Sequence, residues 1–176
     1  MDESLNVGNQ GPKDVFLKLL GRLTIEMSNL EFEIMRCMAI LLNDDKLAIA
    51  LTAESTLGRS VDILKSLFYH FVDDDALVEK FKIIITRING DNGVQRERNK
   101  YIHSMWPVGD NSSIMRIKFL KPKGKTGFHY ETEVNPDPEK LQALIDKIID
   151  LNNDFNMFSF RELVLFMEQR ENKKTS

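Results

Sequence analysis

The sequence predicts an all-α fold, a helical bundle of about five helices with one β-hairpin inserted near residues 113–134. Three observations carry this. Apolar residues recur at three- and four-residue steps through most of the 176 residues, the spacing that places them on one helix face. Clusters of Asn, Asp, Gly and Pro interrupt that spacing and cut the chain into segments of helical length. Between residues 113 and 134 the period changes to two, the period of a strand.

The elements follow in order. Residues 1–11 read as a flexible leader, with Gly8 and Gly11 among polar neighbours. Pro12 suits a first helical turn, where a missing N–H loses no bond. Val15, Leu19, Leu23, Met27, Leu30, Ile34, Met38 and Leu41 mark one long amphipathic helix ending near Leu42, before Asn43-Asp44-Asp45. Its acidic positions Glu26, Glu31 and Glu33 fall mostly off the apolar stripe and read as a solvated face. A short helix is expected over 46–53, and Thr56 as the cap of a helix carrying Val61, Leu64, Leu67, Phe68 and Phe71. Asp73-Asp74-Asp75 ends it and places acidic groups where the next helix N-terminus favours them. That next helix holds Leu77, Phe81, Ile84, Ile85 and Ile88, and the two Asn-Gly pairs in Asn89-Gly90-Asp91-Asn92-Gly93 break it.

Helical pattern resumes at Val94 and is expected to stop about Trp106, because Pro107 disfavours helix in the residue before it. Met115, Ile117 and Phe119 then alternate with Arg116 and Lys118. Phe128, Tyr130, Thr132 and Val134 alternate with His129, Glu131 and Glu133, across a six-residue tip at 122–127. A lone hairpin is marginal in water, so it should lie against the helices. Asp137-Pro138 gives a cap and first-turn proline for a last helix carrying Leu141, Leu144, Ile145, Ile148, Leu151, Phe155 and Phe158, continuing through Leu163, Phe166 and Met167. Residues 12–170 form a single domain in this reading, and 171–176 a disordered tail.

Composition excludes several function classes. The lone Cys37 can form neither an internal disulfide nor a thiolate cluster, which fits a reduced cytoplasmic protein. His70, His103 and His129 lie far apart, so spacing indicates no metal site and no cofactor. There is no Gly-x-Ser-x-Gly elbow and no Gly-x-x-x-x-Gly-Lys phosphate loop. No apolar run approaches the roughly 20 residues that cross a bilayer, and the acidic, polar N-terminus does not read as a secretory signal.

The segment richest in chemistry is QRERNKYIHSMW, Gln95 to Trp106. Gln95, Asn99 and His103 follow one another at four-residue steps and share a helix face. Arg98 lies beside that stripe, long enough to bring its guanidinium toward the His103 ring, and Arg96 and Lys100 flank it. Histidine exchanges a proton near neutral pH, and arginine offers a fixed fork of donors to phosphate oxygens. Together they could promote attack of an RNA 2′-hydroxyl on its neighbouring phosphate, His103 moving the proton and Arg98 stabilising the developing charge. Asn99 would orient the ring or contact the phosphate. The alternative is structural: His103 caps its helix C-terminus and Arg98 pairs with a carboxylate. His70 and His129 read as ordinary structural or surface residues, Trp106 as a packing anchor and Cys37 as core.

Arg98-Asn99-Lys100-Tyr101-Ile102-His103 resembles the Arg-x4–6-His motif of the HEPN superfamily, in which a polar residue commonly follows the arginine. The resemblance implies a helical bundle with the motif in a late helix, and a homodimer whose two motifs line one cleft. It further implies metal-independent endoribonuclease activity of the kind found in toxins and defence effectors. Arg98 and His103 would be catalytic, Asn99 their polar helper, and Arg96 and Lys100 phosphate contacts. RNA, a second copy of the chain and a protein inhibitor are the partners implied; no membrane is. Two features depart from the family pattern: there is no second, antitoxin-like domain, and the hairpin at 113–134 is not part of a minimal bundle. Many members are non-catalytic dimerisation or protein-interaction modules, which is the alternative function.

Charge is unevenly placed. The chain carries a formal −3, yet residues 94–125 hold eight Lys and Arg against Glu97 and Asp110, a local +6 that leaves −9 on the rest. Such a patch can guide an anion. On the hairpin, Arg116, Lys118, Lys121, Lys123 and Lys125 could track an RNA backbone. Cross-strand pairing of Arg116 and Lys118 with Glu131 and Glu133 is the favoured reading for the strands; the tip lysines are left open.

Overall fold

A computed structural model describes residues 11–107, 113–120 and 129–175. The leader expected over 1–11 lies outside the described residues except for Gly11, as do residues 108–112, the hairpin tip and Ser176. The chain runs α1 (Pro12–Leu42), α2 (Asp45–Thr52), α3 (Leu57–Phe71), α4 (Asp75–Asn89), α5 (Val94–Ile102), β1 (Met115–Leu120), β2 (His129–Val134), α6 (Pro138–Met157), a π-helical turn (Phe158–Leu163) and α7 (Val164–Thr175). It is an all-α bundle with one hairpin.

Local chemistry sets the helix ends. α1 starts with Pro12 in its first turn and ends at Asn43, whose left-handed backbone (φ 51°) lets its N–H return to the Ala39 carbonyl. Side-chain oxygens of Asp44, Thr56, Asp74 and Asp137 accept the free N–H groups of Leu47, Arg59, Leu77 and Glu139 and so cap α2, α3, α4 and α6. The α4–α5 break is steric as well as conformational: a Cβ on Gly93 would lie 2.5 Å from the Ile88 carbonyl oxygen. Only glycine allows that approach.

α1 is the spine. Its Phe16, Leu23, Met27, Leu30, Ile34, Met38 and Leu41 are buried, against Leu141, Leu144, Ile145, Ile148, Leu151 and Phe155 of α6 and the inner faces of the other helices. Burying each such side chain contributes about 1.5–3 kcal/mol. Contacts between the two helices run in register: Asn152 donates to the Glu26 carbonyl, Asn156 to Glu33, and Arg36 to Ser159. α1 and α6 are therefore parallel. Cross-helix pairs Arg87–Asp154, Lys80–Glu162 and Lys147–Glu97 run the other way, so α4 and α5 lie antiparallel to α6. Phe68, Phe81 and Phe158 join α3, α4 and the π turn, with Phe68 and Phe81 stacked at 3.8 Å.

Three expectations are corrected. Glu33 is not solvated: it is 8% exposed and its carboxylate is held by Arg36 and Asn156. Arg36 also donates to Ser159 and lies 4.0 Å over the Phe160 ring, so a polar knot is built where two helices meet. The last helix is interrupted by the π turn, in which the Val164 N–H reaches back to Ser159. The tail expected from residue 171 is instead helical, because α7 extends through Thr175; adding residues to an existing helix requires no new nucleus.

Among the described residues no helix is long and apolar enough to cross a membrane. Cys37 is fully buried, and that burial pushes its thiol far above the usual range. Thiol reagents are expected to label Cys37 only after denaturation; labelling at the same rate in buffer would contradict its place in the core. Arg36→Ala leaves the Glu33 carboxylate buried with Asn156 alone, at a cost of about 3 kcal/mol, or about 6–12 °C in Tm. The double variant Glu33→Gln/Arg36→Met should lose much less in the same thermal melts, since no uncompensated charge remains.

Candidate functional site on α5

α5 is short, and contacts along its length fix it. Val94 is buried at its start, and Tyr101 and Ile102 pack on the core at its end. Gln95 lies against the first turn of α3, where a Cβ on Gly58 would be 3.0 Å from Nε2. Glu97 ion-pairs with Lys147 of α6 at 3.0 Å.

Arg98 is half-buried. Its Nη1 donates to Asn99 Oδ1 at 3.1 Å, while Nε is buried without a hydrogen-bond partner among the described residues. Arg96 is exposed, 3.9 Å from Asp91, and Lys100 is exposed beside it. Arg96 and Lys100, with Asp91, Asn92 and Glu97, line an open hollow of about 370 Å³. His103 is exposed and occupies the C-cap of α5. The structure thus joins Arg98 to Asn99 and gathers Arg96 and Lys100 around one hollow. No hydrogen bond links Arg98 to His103 among the described residues.

The helix stops at Ile102 rather than near Trp106. Pro107 is not the proximate cause. Met105 exchanges both backbone hydrogen bonds with Ile117 at 2.8 and 2.9 Å, so residues just past His103 are extended along β1. Sequence periodicity gave no sign of this bridge. Nor did it reveal that Arg116 Nη1 donates to the Lys100 carbonyl at 3.2 Å, tying the hairpin to the last turn of α5. The stripe Gln95–Asn99–His103 was visible at four-residue spacing, but not that Gln95 packs against Gly58.

The hairpin pairs as expected. Arg116 faces Glu133 and Lys118 faces Glu131, and Arg116 Nε bonds Glu133 at 2.9 Å. Tyr101 lies nearby, its phenol held above the usual range by burial first and the Glu133 carboxylate second. Trp106 is a packing anchor: its ring sits 5.1 Å from Phe16 and parallel to Tyr101 at 6.4 Å, with Nε1 donating to the Tyr101 carbonyl at 2.9 Å. Trp106→Ala is expected to cost about 3–5 kcal/mol, and Trp106→Phe clearly less, because a phenyl ring keeps aromatic packing against Phe16 while losing the indole hydrogen bond and part of the ring area. Thermal melts of the two variants compare them directly. Set against models of known protein families, curated protein sequences and solved structures, the chain matches none of them.

Proposed function

We propose that the chain is a HEPN-like, metal-independent endoribonuclease in which Arg98 and His103 act on RNA at the C-terminal end of α5. The observation that carries the reading is the grouping on one short helix. A half-buried Arg98, steadied by Asn99, stands between exposed Arg96 and Lys100, and an exposed imidazole closes the helix. A second copy would bring its own cluster to the same cleft.

In the reaction an unprotonated His103 nitrogen takes the proton of a 2′-hydroxyl. The 2′ oxygen attacks the adjacent phosphorus as the bond to the 5′ oxygen breaks. The departing oxygen takes a proton from water or from the same histidine of a second copy. The products are a 2′,3′-cyclic phosphate and a 5′-hydroxyl. Arg98 remains charged throughout and donates to the phosphoryl oxygen on which negative charge grows. Arg96 and Lys100 hold the neighbouring phosphates, so their contribution falls as salt rises.

A second reading, a non-catalytic dimerisation or protein-interaction module, is favoured by one observation. The imidazole stands at a helix C-cap with no hydrogen bond to Arg98, the position of a structural cap. One assay separates the two. Wild-type chain incubated with RNA in excess chelator should release cyclic-phosphate ends. His103→Ala and Arg98→Ala should each lose about 100-fold or more while melting within a few degrees of wild type. Cleavage at equal rate in all three proteins, or none in any, removes the catalytic assignment.

A further inference from the structure

The last carbonyl groups of a helix have no partner within the helix. At the end of α5 two of them are taken up from outside it. The Lys100 carbonyl accepts the Ser104 hydroxyl at 2.7 Å and Arg116 Nη1 at 3.2 Å. The Tyr101 carbonyl accepts the Trp106 indole N–H at 2.9 Å and the Ser104 backbone N–H at 3.4 Å. Met105 is then bridged to Ile117 of β1 through both of its backbone groups. His103 thus stands between two fastenings to the hairpin, Lys100 before it and Met105 after it. Its backbone is held on both sides while its ring stays exposed.

We infer that Arg116 is a positioning residue for His103, so that the inserted hairpin sets where the imidazole stands. The inference rests on the ribonuclease reading, in which His103 moves the proton. The Arg116 side chain is 14% exposed, and its Nε is held by Glu133 at 2.9 Å. A guanidinium presents its N–H groups in a rigid planar fork, so one of them meets Glu133 of β2 while another meets α5. Keeping a charge this far from water is costly, and an apolar residue of like size often serves stability as well. A positioning role supplies the reason for the charge. Lys118 is the contrast on the same strand: it faces Glu131 but makes no hydrogen bond to α5 among the described residues.

A displacement of about 1 Å in a reacting group can cost roughly 100-fold in rate. Arg96 and Lys100 reach phosphates through long, exposed side chains that absorb such a shift, so the loss falls on kcat rather than KM. Full-length variants test this. Arg116→Met/Glu133→Gln removes the fork and leaves no buried charge unpaired. In it kcat for RNA cleavage should fall at least about tenfold, with KM within about twofold and Tm within a few degrees of wild type. Amide hydrogen exchange should quicken at Ser104 and Met105 and stay unchanged in α1 and α6, and the NMR signals of the His103 ring should move. Where methionine destabilises the hairpin, Arg116→Lys in the same background fills the place without the fork, and the same losses are expected. Glu133→Gln alone keeps an oxygen for Arg116 Nε and should cleave within about twofold of wild type, which separates geometry from charge. Lys118→Met/Glu131→Gln should do likewise. Unchanged kcat or unchanged exchange in the Arg116 variants, or an equal loss in the Lys118/Glu131 pair, overturns the proposal. Wild type that leaves RNA uncut removes the ribonuclease reading by itself; exchange at Ser104 and Met105 and the His103 ring signals then still decide whether Arg116 holds this corner.

Discussion

The apolar seam between α1 and α6 constrains everything else, because the two helices are parallel and lie far apart in sequence. α1 has 31 residues, or about 46 Å at 1.5 Å per residue. A chain leaving its C-terminal end must return to its N-terminal end before α6 can start alongside. Helices α2 to α5 make that return, and α4 and α5 do so antiparallel to α6. The end of α5 is thereby delivered to the start of α1, where Trp106 packs against Phe16. His103, three residues earlier, is placed by this topology: the end of the return path is also the end of the candidate site. The hairpin follows at that corner and is fastened by Met105–Ile117 and Arg116–Lys100.

The polar knot of Glu33, Arg36, Asn156 and Ser159 fixes how far α6 extends along α1. The π turn follows from it. With regular α-helical spacing after Phe155, position 162 would face the core, and that position is a glutamate. The extra residue of a π turn hands the inward position to Leu163, which is fully buried, and frees Glu162 to bond Lys80 at 2.6 Å. It also sends Phe160 outward, over Arg36. One local irregularity thus prevents a buried acid and supplies a lid for a half-buried guanidinium.

Much of this was legible. The caps at Thr56 and Asp137, the acidic break at 73–75, the stop at Leu42, the glycine break and the cross-strand pairing of Arg116 with an acid of the second strand all follow from short-range rules, and the structure has each of them. The five-residue step from Phe158 to Leu163 was a readable sign of the π turn, since no regular helix face repeats at five. What escaped was long-range. Glu33 looks solvated beside Glu26 and Glu31 because its partner Asn156 lies 123 residues away. α5 ends early because of a bridge to Ile117, which periodicity within 94–106 cannot register. At the site, the group on α5 could be named, but not which of its charges would remain unpaired.

That last point changes the meaning of the basic segment. Counted along the chain, residues 94–125 form a concentrated positive stretch. In space, Arg116 is neutralised by Glu133, Lys118 faces Glu131, and Arg96 approaches Asp91. Glu97 is drawn off toward Lys147 of α6 rather than toward Arg98. Pairing thus offsets one cation on the hairpin, Arg116, and one anion on the helix, Glu97, and leaves positive charge weighted toward Arg98 and Lys100. An exposed pair is worth little energetically, yet it still cancels field at distances beyond the pair itself. Among the described residues the positive charge an anion would meet is therefore less than the sequence count implies, and on α5 the cations without an ion-pair partner are Arg98 and Lys100, on the turns before His103.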